Sequence, residues 1–442
     1  MKACYPFGTV LKIQREDTPE SIARHLHHIR DLGLTFVVIW PVVYWWEDQS
    51  ASDYPFATGH LILERAGELG LSVIMELAGQ IASLEYAPDF LMKEEYFVQD
   101  RHGHPVELDW SYYAINYNHP EVRALTRESF GQVAREYKRH DALYGYDVWN
   151  ETMFTSYDPF TLGRFREWLH QKYGNLDALN ASWERAYREW DQVRFTNWHW
   201  ASVMPYVDLE AFRRDNIGMI LAEWRNAIRA EDPDRPVLAD NVGSMVANGQ
   251  WGYLRPQDDR NIAANVDEAG FSIYPKSTST NPPWRRWQTM SALSSATPDR
   301  RFWVAELQTH FATMHIPESR VEAWELRLWT WEAIAHGAQG VVYWKWRPFP
   351  KGYQTHGRGI VDVRGNDTER AAVVRQVAGV LQRNAAVFRD AAPLPPRVGI
   401  LYDRNAHAFS KAYVERVPLE LVETYTDSLA GLHRALWDAN VP

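Results

Sequence analysis

The sequence predicts a closed (β/α)8 TIM barrel followed by the start of a second α/β domain, and three observations carry that reading. Eight short apolar, β-rich runs occur at residues 3–10, 36–40, 72–77, 144–149, 236–241, 267–273, 301–306 and 340–344. Helix-patterned segments alternate with them, which is the signature of βα units and a parallel sheet. The length, 442 residues, exceeds what one small core serves and suits one large domain with additions. Closing eight parallel strands into a barrel also removes the exposed sheet edges.

Taken in order, the first helix is predicted over 19–32. Asp17-Thr18-Pro19-Glu20 opens it with a cap-like residue and a proline near the first turn, and Gly33 stops the helix. Further helices are predicted over 60–69, 121–139, 209–230 and 320–336. The fourth strand is followed by a long insert, 152–235. Within it Phe165-Arg166-Glu167-Trp168-Leu169 and residues 176–190 read as extra helices, and long loops on this rim are where such barrels keep specificity. The barrel is therefore expected to fill residues 1–390. The cluster Pro393-Leu394-Pro395-Pro396 makes 391–396 a proline-rich linker. Residues 397–442 read as an incomplete α/β segment, with a strand at 397–402 and a helix at about 419–437. A single parallel strand needs a neighbour, so this tail is expected to be a fragment of a longer domain.

A formal net charge of −10 argues against a nucleic-acid partner, which would require clustered Lys and Arg. Twenty-one Trp and 22 Tyr suit both a large core and stacking against sugar rings. Cys4 is the single cysteine, so neither an intramolecular disulfide nor a cysteine-based zinc cluster is expected. No apolar run is long enough to span a bilayer, and the N-terminus lacks a signal-like stretch. The chain is expected to be cytoplasmic, with no membrane partner.

Two glutamates carry the chemistry. Glu151 follows Trp149-Asn150 at the end of the fourth run, and Glu306 closes Arg301-Phe302-Trp303-Val304-Ala305 on the seventh. A retaining glycosidase needs such a pair, about 5–5.5 Å apart. Glu151 would be the general acid/base and Glu306 the nucleophile. An N-capping Asn150 with a solvated Glu151, and a structural ion pair for Glu306, are the competing readings. Asn150 could hydrogen-bond a sugar hydroxyl beside the reacting carbon. Tyr274, ending the sixth run, could meet Glu306 and keep it ionised, or be a core tyrosine. Trp344 on the eighth run is the first candidate platform for a bound sugar, and Trp40 on the second run is another. His25-Leu26-His27-His28 has no metal-binding spacing and reads as a solvated helix face. No nucleophile elbow, Walker loop or dinucleotide fingerprint stands in the required context, and no metal or cofactor is expected.

Trp149-Asn150-Glu151, Ala305-Glu306, Ala335-His336-Gly337-Ala338 and Trp346-Arg347 together resemble glycoside hydrolase family 42, the β-galactosidases of clan A. The segment Phe165 to Gly174, followed by Leu176-Asp177-Ala178-Leu179-Asn180 and Trp183, is similar to that family's insert after strand four. The resemblance implies an exo-acting, retaining β-galactosidase-like enzyme with Glu151 as acid/base, Glu306 as nucleophile and a carbohydrate substrate. It also implies that the tail resembles the start of a trimer-forming domain, hence a homo-oligomer of the full-length protein. Where the family usually carries a glutamate and a histidine after strand eight, this chain has Gln354 and His356, which become candidate substrate-binding residues. That departure leaves mannosidase, glucosidase, fucosidase and arabinosidase activity open, together with a sugar-binding barrel that has lost turnover.

Overall fold

The computed structural model describes residues 4–14, 16–40, 56–77, 91, 93–106, 115–195, 202–244, 256–276, 282–309, 321–349, 359–414 and 424–441. β-Branched and aromatic residues dominate its strands, as in Phe36-Val37-Val38-Ile39, and most strand residues are buried on both faces, as parallel strands covered by helices require. The strands are β1 (Phe7–Val10), β2 (Phe36–Ile39), β3 (Ser72–Glu76), β4 (Leu143–Asp147), β5 (Val237–Val242), β6 (Glu268–Ile273), β7 (Phe302–Gln308) and β8 (Ala338–Trp344). All pair in parallel in chain order, and β8 returns to β1 to close the barrel. All eight predicted runs contain a strand, so the (β/α)8 class holds. Most ends differ by one to four residues. The first strand starts at Phe7 rather than at residue 3, and β4 ends at Asp147, although Val148 N–H still donates to the Leu238 carbonyl at 2.8 Å.

The helices are α1 (Pro19–Asp31), α2 (Ala57–Leu69), α3 (Pro120–Tyr137), α4 (Pro159–Tyr173), α5 (Leu176–Trp183), α6 (Met204–Glu231), α7 (Asp259–Asn265), α8 (Pro283–Ala296), α9 (Ala323–Ala335), α10 (Glu369–Arg383), α11 (Ala385–Asp390), α12 (Arg404–Val414) and α13 (Thr424–Asp438). α1 shows how sequence sets a boundary. Thr18 Oγ1 accepts from Ser21 N–H, Ser21 Oγ accepts from Thr18 N–H, and Gly33 leaves the helix at φ +86°. Ile22, Leu26 and Ile29 form its buried stripe at helical spacing.

Inside the insert, α4, α5 and the start of α6 enclose a second apolar cluster of Phe165, Leu169, Leu179, Trp183, Val193, Leu209 and Phe212. Buried Asp208 ties it together, accepting from Lys172 Nζ at 2.5 Å, Tyr173 Oη at 2.7 Å and Trp183 Nε1 at 2.7 Å. Three acceptor contacts compensate a carboxylate that burial would otherwise penalise.

The tail departs from expectation. Residues 397–402 form no strand, and Val398 and Leu401 are exposed. The barrel is closed, so this run has no sheet edge to join. The predicted helix near 419–437 is α13, starting at Thr424, and an unanticipated helix, α12, precedes it. α12 packs on α6 and α13 on α8, with Ala408, Ala412, Leu429 and Ala430 buried. Arg404 pairs with buried Asp258, and Trp287 meets Trp437 edge-on at 6.3 Å. The histidine cluster also differs from a solvated face, since His27 is exposed but His25 and His28 are partly buried. His25 accepts from Trp346 Nε1 at 3.1 Å and lies 3.0 Å from Arg347 Nη1, while His28 pairs with Asp367 at 2.7 Å. Among the described residues no helix is long and apolar enough to cross a membrane.

Candidate active site

The polar centre lies at the carboxyl ends of the strands, where a closed parallel barrel gathers its functional groups. Beneath it, Val38, Ile74, Leu238 and Val342 face inward from β2, β3, β5 and β8. Above them is a narrow cavity of about 20 Å³, room for one water-sized group, lined by Glu76, Asp147, Asn150, Asp240 and Glu306 with Trp303 below. Gly270 belongs to this layer for a steric reason. A Cβ there would stand 2.9 Å from the Asp240 Cβ and 3.0 Å from that of Ala305, so any larger residue would drive β5 and β7 off their positions.

Glu306 lies within β7 and is buried. The Tyr274 hydroxyl donates a hydrogen bond to its Oε2. Burial pushes the Glu306 carboxyl well above the usual carboxylate range, and the Glu151 charge pushes it further. The Tyr274 hydrogen bond opposes both, and Glu76 and Asp147 add smaller upward pushes. Glu151 and Glu306 are thus electrostatic neighbours across the barrel mouth. Asn150 is buried and lines the cavity together with Glu306. Glu151 itself is half-buried and takes a left-handed backbone conformation, φ +51°.

Trp344 ends β8, and Trp40 follows β2 directly. Their rings are 5.9 Å apart and tilted by 31°, and both side chains are largely buried. Phe349 meets Trp344 edge-on at 6.0 Å. Gln354 and His356 lie outside the described residues, as do 41–55, 78–90, 245–255, 277–281, 310–320 and the rest of 350–358.

Four groups in the site are absent from the sequence-based candidates: Glu76, Asp147, Asp240 and Lys345. Glu76 and Asp147 are register partners on β3 and β4. Burial pushes Asp147 up to about 7, against a hydrogen bond from Trp149 N–H. Burial also drives Asp240 well above its ordinary value, and the charges of Asp147, Glu306, Glu151 and Glu76 add to that. Lys345, directly after β8, is pushed down to about 6 by burial and by Lys12, with Glu306 opposing. The signal available in sequence was a carboxylate inside an otherwise apolar strand run, as in Val237-Leu238-Ala239-Asp240. Such a residue is costly to bury without a purpose. Among the described residues no group of histidine, cysteine or carboxylate side chains is arranged to hold a metal ion.

A closed barrel with one glutamate just beyond its fourth strand that senses the charge of another on its seventh has the layout of a glycoside hydrolase. The comparisons agree with that class. The family model Glyco_hydro_42, described as Beta-galactosidase, matches residues 15–384, and the chain belongs to that family, glycoside hydrolase family 42. A beta-galactosidase LacZ of Heyndrickxia coagulans is 24% identical over 406 residues, covering 88% of this chain and 57% of that protein. A beta-galactosidase of Thermus thermophilus is 26% identical over 259 residues, covering 53% of this chain and 39% of its own length. The chain therefore spans roughly 40 to 60% of the length of these relatives. Among solved structures, a beta-galactosidase from Bacillus circulans sp. alkalophilus superposes with a TM-score of 0.84 at 18% identity, covering 98% of this chain and 63% of the other, a likeness of fold.

Proposed function

We propose that the protein is a retaining, exo-acting β-glycosidase that hydrolyses terminal sugars from oligosaccharides by double displacement. The observation that carries this reading is a buried Glu306 that accepts a hydrogen bond from Tyr274 and senses the charge of Glu151. In the first step Glu306 attacks the anomeric carbon while Glu151 protonates the departing oxygen, so the C–O bond to the leaving group breaks as the glycosyl-enzyme bond forms. In the second step Glu151, now a base, takes a proton from water, and that water displaces Glu306 with a second inversion. Mutual charge supports the division of labour. While Glu306 is ionised, its field raises the proton affinity of Glu151 and keeps it an acid; once Glu306 is esterified, that field vanishes and Glu151 can ionise.

Asn150 is assigned to a sugar hydroxyl next to the reacting carbon, and the tilted Trp344 and Trp40 rings to the apolar face of the bound sugar. Gln354 and His356 are assigned to its remaining hydroxyls. Two relatives bear the name beta-galactosidase, so β-galactosides head the list of substrates, ahead of β-glucosides, β-mannosides, fucosides and arabinosides. A panel of nitrophenyl glycosides, with the anomer of the first-formed product read by NMR, tests both parts. Turnover of β-galactoside with β-product first supports the reading, and turnover confined to another sugar moves the specificity. An α-product overturns the retaining mechanism, and saturable sugar binding without turnover of any glycoside makes this a sugar-binding barrel.

A further inference from the structure

Asp240 lies on β5, one strand away from Glu151, and grips the turn that carries Glu151 at three points. Its backbone N–H donates to the Trp149 carbonyl at 3.0 Å, and its own carbonyl accepts from Thr152 N–H at 3.0 Å. Between these, Oδ1 of its side chain accepts from the Glu151 N–H at 3.0 Å. Gln257 Nε2 adds a bond to the Thr152 carbonyl at 2.7 Å. The side chain is itself fixed, because Oδ2 accepts from Ser272 Oγ at 2.9 Å and its Cβ fills the space left by Gly270. A left-handed conformation at a non-glycine residue persists only where its surroundings over-determine it, and Asp240 supplies that determination for Glu151. The two backbone bonds would form with any residue on β5; the bond to Glu151 N–H requires an acceptor of this length at this position.

We propose that Asp240 is a positioning residue for the acid/base, holding Glu151 in its left-handed turn from the neighbouring strand so that its carboxyl meets the departing oxygen. This rests on the role proposed above for Glu151. The charged groups facing Asp240 are Asp147 on β4, Glu151 after it, Glu306 on β7 and Glu76 on β3, all carboxylates. A bond to backbone N–H is therefore made among four carboxylates, where an added negative charge is unwelcome. An asparagine would keep the acceptor without the charge.

The test compares wild type with Asp240→Ala and Asp240→Asn on two glycosides of the same sugar. One has an activated dinitrophenyl leaving group that departs with little protonation, the other an alkyl group that departs only with it. If Asp240 positions the acid, Asp240→Ala lowers kcat/KM for the alkyl glycoside by about a hundredfold and spares kcat/KM for the activated one. On the activated glycoside kcat and KM fall together, because the second step still needs Glu151 as base, so all losses are read in kcat/KM. Asp240→Asn recovers most of the loss. Equal losses on both glycosides, or no loss on either, overturn the proposal. Should Asp240→Ala fail to fold, Asp240→Ser, which keeps a polar group but withdraws the long acceptor, is read the same way. Glu151→Ala is measured in parallel. If it discriminates between leaving groups and the Asp240 variants do not, only this inference falls; if Glu151→Ala does not discriminate, the acid/base assignment falls with it.

Discussion

The hydroxyl of Tyr274, directly after β6, donates a hydrogen bond to Oε2 of Glu306 on β7. It is the influence that most favours an ionised Glu306, against burial and the charges of Glu151, Glu76 and Asp147. The nucleophile proposed for Glu306 must be ionised, so on that proposal this bond extends activity to lower pH against the effect of burial. Tyr274→Phe removes a donor to a charged group, an interaction worth about 1.5–3 kcal/mol. The Glu306 proton affinity then rises. The acid limb of kcat/KM, followed on an activated aryl glycoside, should move to higher pH by about one unit or more. An unmoved limb would separate Tyr274 from the nucleophile.

Glu306→Gln should abolish turnover of every glycoside, because no other carboxylate is assigned to the anomeric carbon. Glu151→Ala should lose about 10²–10⁴-fold on poor leaving groups and much less on dinitrophenyl glycosides. Azide should restore its rate by attacking the glycosyl-enzyme, with a β-glycosyl azide as product. Identical losses in both variants on all substrates, with no azide product, would count against these roles.

Asp147 offers a stability readout. Burial pushes its carboxyl up to about 7 from an ordinary value of 3.8. In the folded state it holds a proton that the unfolded chain has released, so between those values unfolding is favoured progressively as pH rises. Its contribution is fully present below the unfolded value and lost on passing the folded one. Asp147→Asn removes this titration. The Tm advantage of the variant over wild type should grow from about pH 4 to 7 and then level off. An advantage that is flat across this range would show that Asp147 ionises as freely in the folded state as in the unfolded one.

The tail gives a fourth expectation, tied to the proposal that residues 1–390 form the catalytic unit and 397–442 an appended segment. Deleting 397–442 removes α12 and α13, which lie on α6 and α8 and take no part in the barrel pairing. The shortened protein should keep its far-UV circular dichroism and its kcat/KM. Its Tm should fall, because buried Asp258 loses Arg404 and the sites of Ala408, Ala412 and Leu429 become exposed. Hydrogen exchange in the intact chain should show α13 opening before β4 and β7. If deletion unfolds the barrel, the tail is part of its core.

Local chemistry alone marked the eight strand runs and several of the helices between them, while α7, α8, α10, α11 and α12 went unmarked. Runs such as Phe36 to Ile39 and Phe302 to Val304 are β-rich and apolar over a strand's length. Pro19, Gly33 and the cap at Thr18 mark helix ends through effects that reach only a few residues. The same reading puts Glu151 and Glu306 at strand ends, whereas in the fold Glu151 lies beyond the end of β4 and Glu306 within β7. Only the tertiary structure decided which carboxylates share the barrel interior. Glu76 and Asp147 become neighbours through the β3–β4 register, and that register shifts between Val73 and Ile74. Asp240 reaches Glu151 across 89 residues of chain. Facing, register and closure are global quantities, and one residue of slip turns an inward carboxylate outward. The run at 397–402 has the same reason from the other side: its composition suits a strand, but a strand exists only where an edge is free to pair, and the closed barrel presents none.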